Sequence, residues 1–431
     1  MNKAAAPRAR DVLRHGPFAR LLAGQFVSQL GDGLIYLSLI IMLNRLLDET
    51  HATAAIGILL ICQTAPRVFF GLLAGVYVDR LDRKRLMIVA DVARGLVVLA
   101  CLFVTRPADI WIYYVCAALL SAFSAVFAPA KSASLPHLVA KDQLLIANTL
   151  SQTSFYVALT AGTALAGVLI GVFDSPVPAI VFDAVSFGVS ALFIAALPLP
   201  HQARRASTQN AAQVWAELKE GLRFIAGQRL LVGSIAGFSL TMLGAGATNV
   251  LFVPFVVNDL RLSETWVGFI DLTQVMGMVA INLFVARIAA RYTPAIIFGA
   301  GIVGLGLAIA ATGWVQQAWV LFPLSVVWGL TIAPVQASAA TLVQSVPDAV
   351  RGRTVSATET LVGIANVLSM ALAGFAGSAI GVRSSFIAGG LIAALGGVLA
   401  WWVMRSAVLS DQPVSGPLVS QPAEIPVEID Q

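Results

Sequence analysis

Long apolar runs separated by short polar connections repeat along the whole chain. A helix needs about 20 such residues to cross the ~30 Å hydrocarbon core of a bilayer. Twelve runs qualify, near residues 19–47, 53–78, 86–105, 109–130, 144–172, 177–197, 230–257, 265–289, 294–314, 319–341, 354–379 and 384–404. Short alternating segments of about 10 residues, the mark of a membrane barrel, are not visible. The pattern predicts an all-α integral membrane protein with twelve transmembrane helices. Composition agrees, because 11% of residues are charged, against roughly 25% in a soluble domain.

The longest polar interval falls between the sixth and seventh runs and divides the chain. The expected plan is an N-terminal segment (1–17), a six-helix bundle (18–198), a linker (199–229), a second six-helix bundle (230–405) and a proline-rich tail (406–431) that is expected to be disordered. Within the linker, Val214, Leu218, Leu222 and Ile225 recur at helical spacing opposite Glu217, Lys219, Glu220 and Arg223. That spacing predicts an amphipathic helix lying along the membrane surface. The halves echo one another at an offset of 207 residues: Ala164, Leu165, Ala166 and Gly167 recur as Ala371, Leu372, Ala373 and Gly374, and Arg80 corresponds to Arg287. Two six-span halves related by a parallel repeat are the plan of secondary transporters with a substrate site at the membrane midplane.

Charge fixes the expected orientation. With the N-terminus inside, 21 of the 27 Lys and Arg residues fall in cytoplasmic segments, as the positive-inside rule requires. Both termini are then expected to be cytoplasmic, in a multi-pass membrane protein. Trp111, Trp266, Trp314 and Trp319 fall at the outer helix ends, where an interfacial aromatic belt would stand. The basic N-terminus before the first run resembles a secretory signal, but that run is too long and holds Gln25, Gln29 and Asp32, so it reads as a retained span. The net charge of +5 follows from topology and makes no case for a nucleic-acid partner.

Candidate chemistry is sparse. Cys62, Cys101 and Cys116 lie inside spans without paired spacing, and the four histidines are dispersed, so neither a disulfide framework nor a metal motif is indicated. No phosphate-binding loop or nucleophile motif occurs. The expectation is a chain without cofactor or metal that is not an enzyme.

Between the second and third spans stand Gly75, Asp79, Arg80, Asp82, Arg83, Lys84 and Arg85. A glycine near a span end permits close helix approach, and Asp79 can accept hydrogen bonds from a helix N-terminus or from arginines. This loop resembles the signature of the major facilitator superfamily, at the place where that family carries it. The resemblance covers residues 18 to 405 and implies a loop that latches against span eleven on the cytoplasmic side, with Glu359 as candidate partner of Arg83 or Arg94. Pro129, Ala130 and Lys131, then Leu135 to Val139, Ala147 and Asn148, with Gln344 to Pro347 and Arg351 to Arg353 in the second half, look like the exporter branch that contains macrolide efflux proteins and the enterobactin exporter. Two departures bear on proton coupling. Span four lacks the membrane-embedded arginine of many proton-coupled antiporters. In the glycine-rich stretch 162–171 of span five, Thr163 stands where proline is usual; those glycines serve close packing or antiport.

Ionisable residues inside a span are costly and mark function by default. Asp32 and Arg67 each lie about 18 Å from the cytoplasmic boundary and are expected to pair as a proton switch on adjacent helices, the alternative being a permanent structural bridge. Gln25, Ser28, Gln29 and Asp32 share one face of span one. Asp91 and Arg94 fall shallower and are assigned to the inner latch. Asp183 and Asp271 lie about 9 Å from the outer face, as candidates for a gate or proton entry, and Asp271 with Gln274 is expected to line the cavity. Asn249, Gln336, Asn366 and Tyr156 are further cavity candidates.

The expected function is a secondary active exporter of amphipathic small organic molecules, either drug or macrolide-type efflux or siderophore secretion, working by alternating access with proton antiport. A proton-coupled nutrient uptake symporter of the same fold is the alternative. Expected partners are the small-molecule substrate, protons and the lipid bilayer, with no nucleic acid, and the chain is expected to act as a monomer.

Overall fold

The computed structural model describes residues 12–14, 16–78, 81–140, 143–199, 211–282, 284, 287–288, 291–344, 346 and 348–409. Among them are thirteen α-helices and no strand. The first six spans are α1 (Gly16–Leu46), α2 (Glu49–Val78), α3 (Arg83–Leu99), α4 (Trp111–Ser134), α5 (Leu144–Phe173) and α6 (Val177–Ala195). The linker helix is α7 (Ala211–Gly227). The second half is α8 (Arg229–Pro254), α9 (Thr265–Asn282), α10 (Pro294–Thr312), α11 (Leu321–Gln344), α12 (Asp348–Ile380) and α13 (Val382–Leu409). Eleven helices are long and apolar enough to cross a membrane, and the apolar stretch of α9 is shorter. Because twelve antiparallel spans return the chain to the side it started from, the start of α1 and the end of α13 share a face, called here the terminal face; the other is the distal face.

Local chemistry explains several helix ends. Asp82 caps α3, its side chain accepting from the Arg85 amide at 2.9 Å, which satisfies one of the free N–H groups of the first turn. Pro254 ends α8 in a π-turn over Phe255–Asp259, a local widening that a proline's missing N–H favours. Gly381 joins α12 to α13 at a φ of 84°, a conformation open to glycine at no steric cost. Trp111, Trp314 and Trp319 are exposed near distal helix ends.

Small residues decide which helices touch. Gly33 and Gly162 bring α1 and α5 together backbone to backbone, and Gly24 and Gly31 seat α1 on α6. α2 instead leans on α4 and on α12, through Gly57 against Gly374. The repeat becomes a geometric fact here. Gly167 of α5 meets Glu264 beside α9, and Gly374 of α12 meets Gly57 of α2; each residue of the second contact is 207 positions from its mate in the first. Both repeats of the Ala-Leu-Ala-Gly stretch thus form the seam between the halves.

The apolar cores show where the halves meet. One cluster joins distal parts of α1, α2, α4, α5 and α6 to α8–α13, for example Ile40, Leu59 and Ile170 with Leu251, Val267 and Phe386. Toward the terminal face the cores separate: one holds only first-half residues such as Phe18, Met87 and Phe127, and two hold only linker and second-half residues. The linker helix departs from the expected surface position. Leu218 and Ile225 bury against Val346, Ala357 and Leu231, Gly221 abuts the Arg353 backbone, and Arg353 pairs with Glu220. α12 runs for 33 residues, about 50 Å, well beyond one bilayer core, and its extra turns give the apolar face of α7 a protein surface in place of lipid. Residues 1–11, 200–210 and 410–431, which include most of the expected N-terminal segment and tail and the first part of the linker, lie outside the described residues.

Candidate functional site

Between the halves lies a cavity of about 450 Å³. The first half contributes Tyr36, Leu37 and Ile40 of α1 and Tyr156, Leu159, Thr160 and Thr163 of α5; the second contributes residues of α8, α9, α10 and α11, among them Asn249, Asp271, Gln274, Trp328 and Gln336. Phe252 and Trp328 pack with ring centroids 5.8 Å apart. Asp271 is the only carboxyl among the described residues of this wall, and Thr163 from the opposite half lies within hydrogen-bonding reach of it. The threonine that replaces the usual proline of span five therefore reaches the acid of span eight. Mostly apolar walls with a few placed polar groups are the ordinary makeup of a site for organic molecules.

Distal to the cavity the halves are tied together. Arg45 at the end of α1 donates to Asp174 at 2.6 Å and to Glu264 at 2.8 Å. Asn44 and Asn258 exchange hydrogen bonds at 3.0 and 3.1 Å, the π-turn after Pro254 supplying Asn258. Gly167, Gly171 and Gly268 seat α5 on the start of α9: a Cβ on Gly171 would stand 2.6 Å from the Thr265 hydroxyl. Burial pushes the Glu264 carboxyl up, but the hydrogen bond and charge of Arg45 outweigh it and hold the group below the ordinary glutamate range. A carboxyl lowered in this way strengthens the closed contact at all pH values above its ordinary range, and that contribution is lost as pH falls through the lowered value. Exposed pairs of this kind contribute about 0.2–1 kcal/mol. Arg45→Ala should therefore raise the fraction of molecules open at the distal face about two- to fivefold, read as a longer distance between spin labels at Ser175 and Ser263. Unchanged distances would show that the glycine seam alone holds the closure.

The charges of the first half are arranged differently from the expected pairs. Arg67 is exposed, and no ion pair joins it to Asp32 among the described residues, because α1 packs on α5 and α6 while α2 leans on α4 and α12. The cations whose fields reach Asp32 are Arg94 first, then Arg67 and Lys131. Asp91 and Arg94, assigned to the inner latch, are buried and bonded to one another, with the guanidinium 4.6 and 4.5 Å from the ring centroids of Phe127 and Phe187. Three residues apart on α3, they meet on one helix face, and the aromatic rings of α4 and α6 complete the cage. Ser190, which accepts from Gln25 at 3.2 Å, also bonds Asp91.

Asp183 is buried against Gly31 of α1, one residue from Asp32, and does not stand at a distal gate. Glu359 is exposed and forms no ion pair with a described residue; Arg94 is committed to Asp91, and Arg83 donates to the Ala133 carbonyl at 2.8 Å. Of the signature loop, Asp79 and Arg80 lie outside the described residues, and Gly75 stands in the last turn of α2. Gln25 and Gln29 are buried and line a second, smaller cavity. Tyr36 and Thr163 are cavity residues that the sequence reading did not select. Tyr36 continues the polar face 25, 29, 32 by one more turn, a signal that was available; Thr163 owes its role to a contact between halves.

A twelve-helix membrane protein of two pseudo-repeated bundles, with a cavity between them sealed at one face, has the architecture of a transporter. The profile described as Major Facilitator Superfamily matches residues 21–245 and 234–425, and the chain belongs to that family. It is a transport protein and not an enzyme. It is 27% identical to the uncharacterized MFS-type transporter YfiS of Bacillus subtilis (88% of this chain, 91% of that one). It is 26% identical to the multidrug efflux pump Tap of Mycobacterium bovis (86% and 90%), and 21% identical to macrolide efflux protein A of Streptococcus pyogenes (87% and 93%). Among solved structures, a bacterial homolog of the human lysosomal transporter Spinster, in an inward-facing and occupied conformation, superposes with a TM-score of 0.71 at 13% identity over 92% of this chain and 98% of that one.

Proposed function

We propose that the chain is a secondary exporter that moves amphipathic organic molecules out of a bacterial cell across its inner membrane, by alternating access and in exchange for protons. The observation that carries this reading is the central cavity: large, mostly apolar, with a single carboxyl at Asp271. The kinship with multidrug and macrolide efflux proteins favours drug-type efflux over siderophore secretion. The lysine and arginine distribution supports a cytoplasmic terminal face, and on that orientation the shared distal core and separate terminal cores fit a conformation that receives substrate from the cytoplasm.

Asp32 and Asp271 are the proton sites in this reading. Asp32 is half-buried on α1, one turn before Tyr36 of the cavity wall, and a proton arriving there cancels the charge that Arg94, Arg67 and Lys131 now share. Asp32→Asn should lower gradient-driven transport about tenfold, the effect of losing about 1.4 kcal/mol of coupling, with the protein still folded. Full retention of proton-coupled transport would remove Asp32 from the mechanism.

Proteoliposomes loaded with an amphipathic dye test the whole reading. An imposed proton gradient directed against dye movement should accelerate export from the cytoplasmic-face compartment. Movement indifferent to pH and to membrane potential would dismiss antiport, and accumulation in the direction of the proton flux would make the chain a symporter.

A further inference from the structure

A second cavity, about 230 Å³, lies wholly within the first half, between α1, α4 and α5. It shares no lining residue with the central one. Its wall carries Gln25, Gln29, Lys131, Asn148, Ser151 and Gln152. Among the described residues Lys131 is the only charge on this wall, and no described carboxylate lines the cavity. The ammonium makes no hydrogen bond or ion pair with a described residue; its interactions are long-range, with Arg94 and Asp32. Gln29 is 6% exposed and its Oε1 has no hydrogen-bond partner, and the buried Ser154 hydroxyl on the same wall has none either.

Lys131 stands in the last turn of α4 and is half-buried, and a partly buried ammonium is stabilised by a water-filled space or a counter-ion beside it. Buried amides and hydroxyls are ordinarily satisfied. Here a cation and several polar groups converge on a space in which no anion stands among the described residues; of the two orphaned atoms the Ser154 hydroxyl can donate to an oxyanion, whereas Gln29 Oε1 only accepts. A carboxylate or phosphate oxygen would accept from the Lys131 ammonium, the strong charge-assisted kind of hydrogen bond, and from hydroxyl and amide N–H donors around it.

We infer that this cavity is an oxyanion subsite of the transport path, in which Lys131 holds the carboxylate or phosphate head of an amphipathic substrate whose apolar body extends into the central cavity. The inference rests on the export reading for its substrate and on the following geometry for its shape. α5 lines both spaces in succession, with Asn148, Ser151 and Ser154 on the smaller and Tyr156, Leu159 and Thr163 on the larger. α1 does the same with Gln25 and Gln29, then Tyr36 and Ile40. From Ser151 to Thr160 is about 14 Å along the helix, the length of an extended amphiphile. Such a path also keeps the anionic head away from Asp271, the acid of the central wall.

The test reads binding without any gradient or movement, so its failure leaves the export proposal standing, and failure of export leaves the binding result intact. Cys62, Cys101 and Cys116 are replaced by alanine, Ser151→Cys introduces a reporter thiol, and the protein is placed in phosphatidylcholine nanodiscs. Labelling by a neutral maleimide is timed with phenylbutyrate, phenylbutylamine or inorganic phosphate present. Phenylbutyrate and phosphate should each slow labelling about fivefold at concentrations several times their Kd, and phenylbutylamine should not. Lys131→Met should abolish the protection and Lys131→Arg should keep it. Equal protection by the acid and the amine, or protection that survives Lys131→Met, overturns the subsite. Labelling that is slow only in nanodiscs of anionic lipid, with no effect of the soluble anions, would assign the site to a lipid headgroup and overturn the substrate role.

Discussion

Asp271→Asn should abolish proton-driven export while leaving the cavity intact. Asparagine keeps the size and the hydrogen-bond acceptor that Thr163 faces, but it holds no exchangeable charge. In the proposed mechanism Asp271 is the proton site that faces the substrate, the only carboxyl among the described residues of the central wall, with Asp32 the second site behind it. Losing a coupling free energy of about 3 kcal/mol corresponds to about 100-fold. Gradient-driven efflux in proteoliposomes should fall by that factor, whereas substrate counterflow, which needs only binding and alternation, should persist. Uphill transport by Asp271→Asn would take the proton role away from this residue. Loss of counterflow as well would mean that the carboxyl binds the substrate itself.

Gly162→Ala should have the largest effect on the fold. A methyl group at this position would stand 2.1 Å from the Leu30 carbonyl oxygen and 3.0 Å from the Gly33 Cα. Both are backbone atoms of α1, so no side chain can swing aside. Helices in a membrane associate through close packing of small residues, with no hydrophobic force to drive them together, and parting α1 from α5 by even part of an ångström removes that packing along the seam. Overpacking of this kind costs about 1–3 kcal/mol, against the total margin of about 5–15 kcal/mol of ordinary domains. The variant should lose monodispersity on size exclusion after mild heating. Gly188→Ala is the control, since nothing lies within 4 Å of its Cβ position and alanine in a helix is neutral or slightly stabilising. Equal heat resistance of the two would refute the packing argument.

These two residues mark different degrees of legibility. Asp271 was visible in the chain because a lone carboxyl in an apolar run is conspicuous, and its spacing from Gln274 placed both on one helix face. Gly162 was visible only as one of many glycines; that it faces Gly33, while Gly167 five residues on faces the other half, depends on how α5 tilts between two neighbours. Arg45, unremarked in an outer connection, became a tie between the halves because Asp174 and Glu264, far apart in sequence, converge on it. Asp32 and Arg67 show the opposite error. Equal depth in the membrane suggested a pair, but depth constrains one coordinate only, and the two helices turn to other partners.

By itself, the sequence determined that this protein spans a membrane twelve times, in two related halves, with its basic loops on the side of its termini. The reason is that the bilayer acts on each helix singly: apolar length, flanking charge and signature residues are properties of one segment, readable without knowing its neighbours. The tertiary structure alone decided which helices touch, where the halves are sealed, that Asp91 and Arg94 sit in an aromatic cage, and that Lys131 lines a cavity with no carboxylate among its described residues. Those facts depend on contacts between different helices, many of them far apart in the chain, set by where small residues allow backbones to approach.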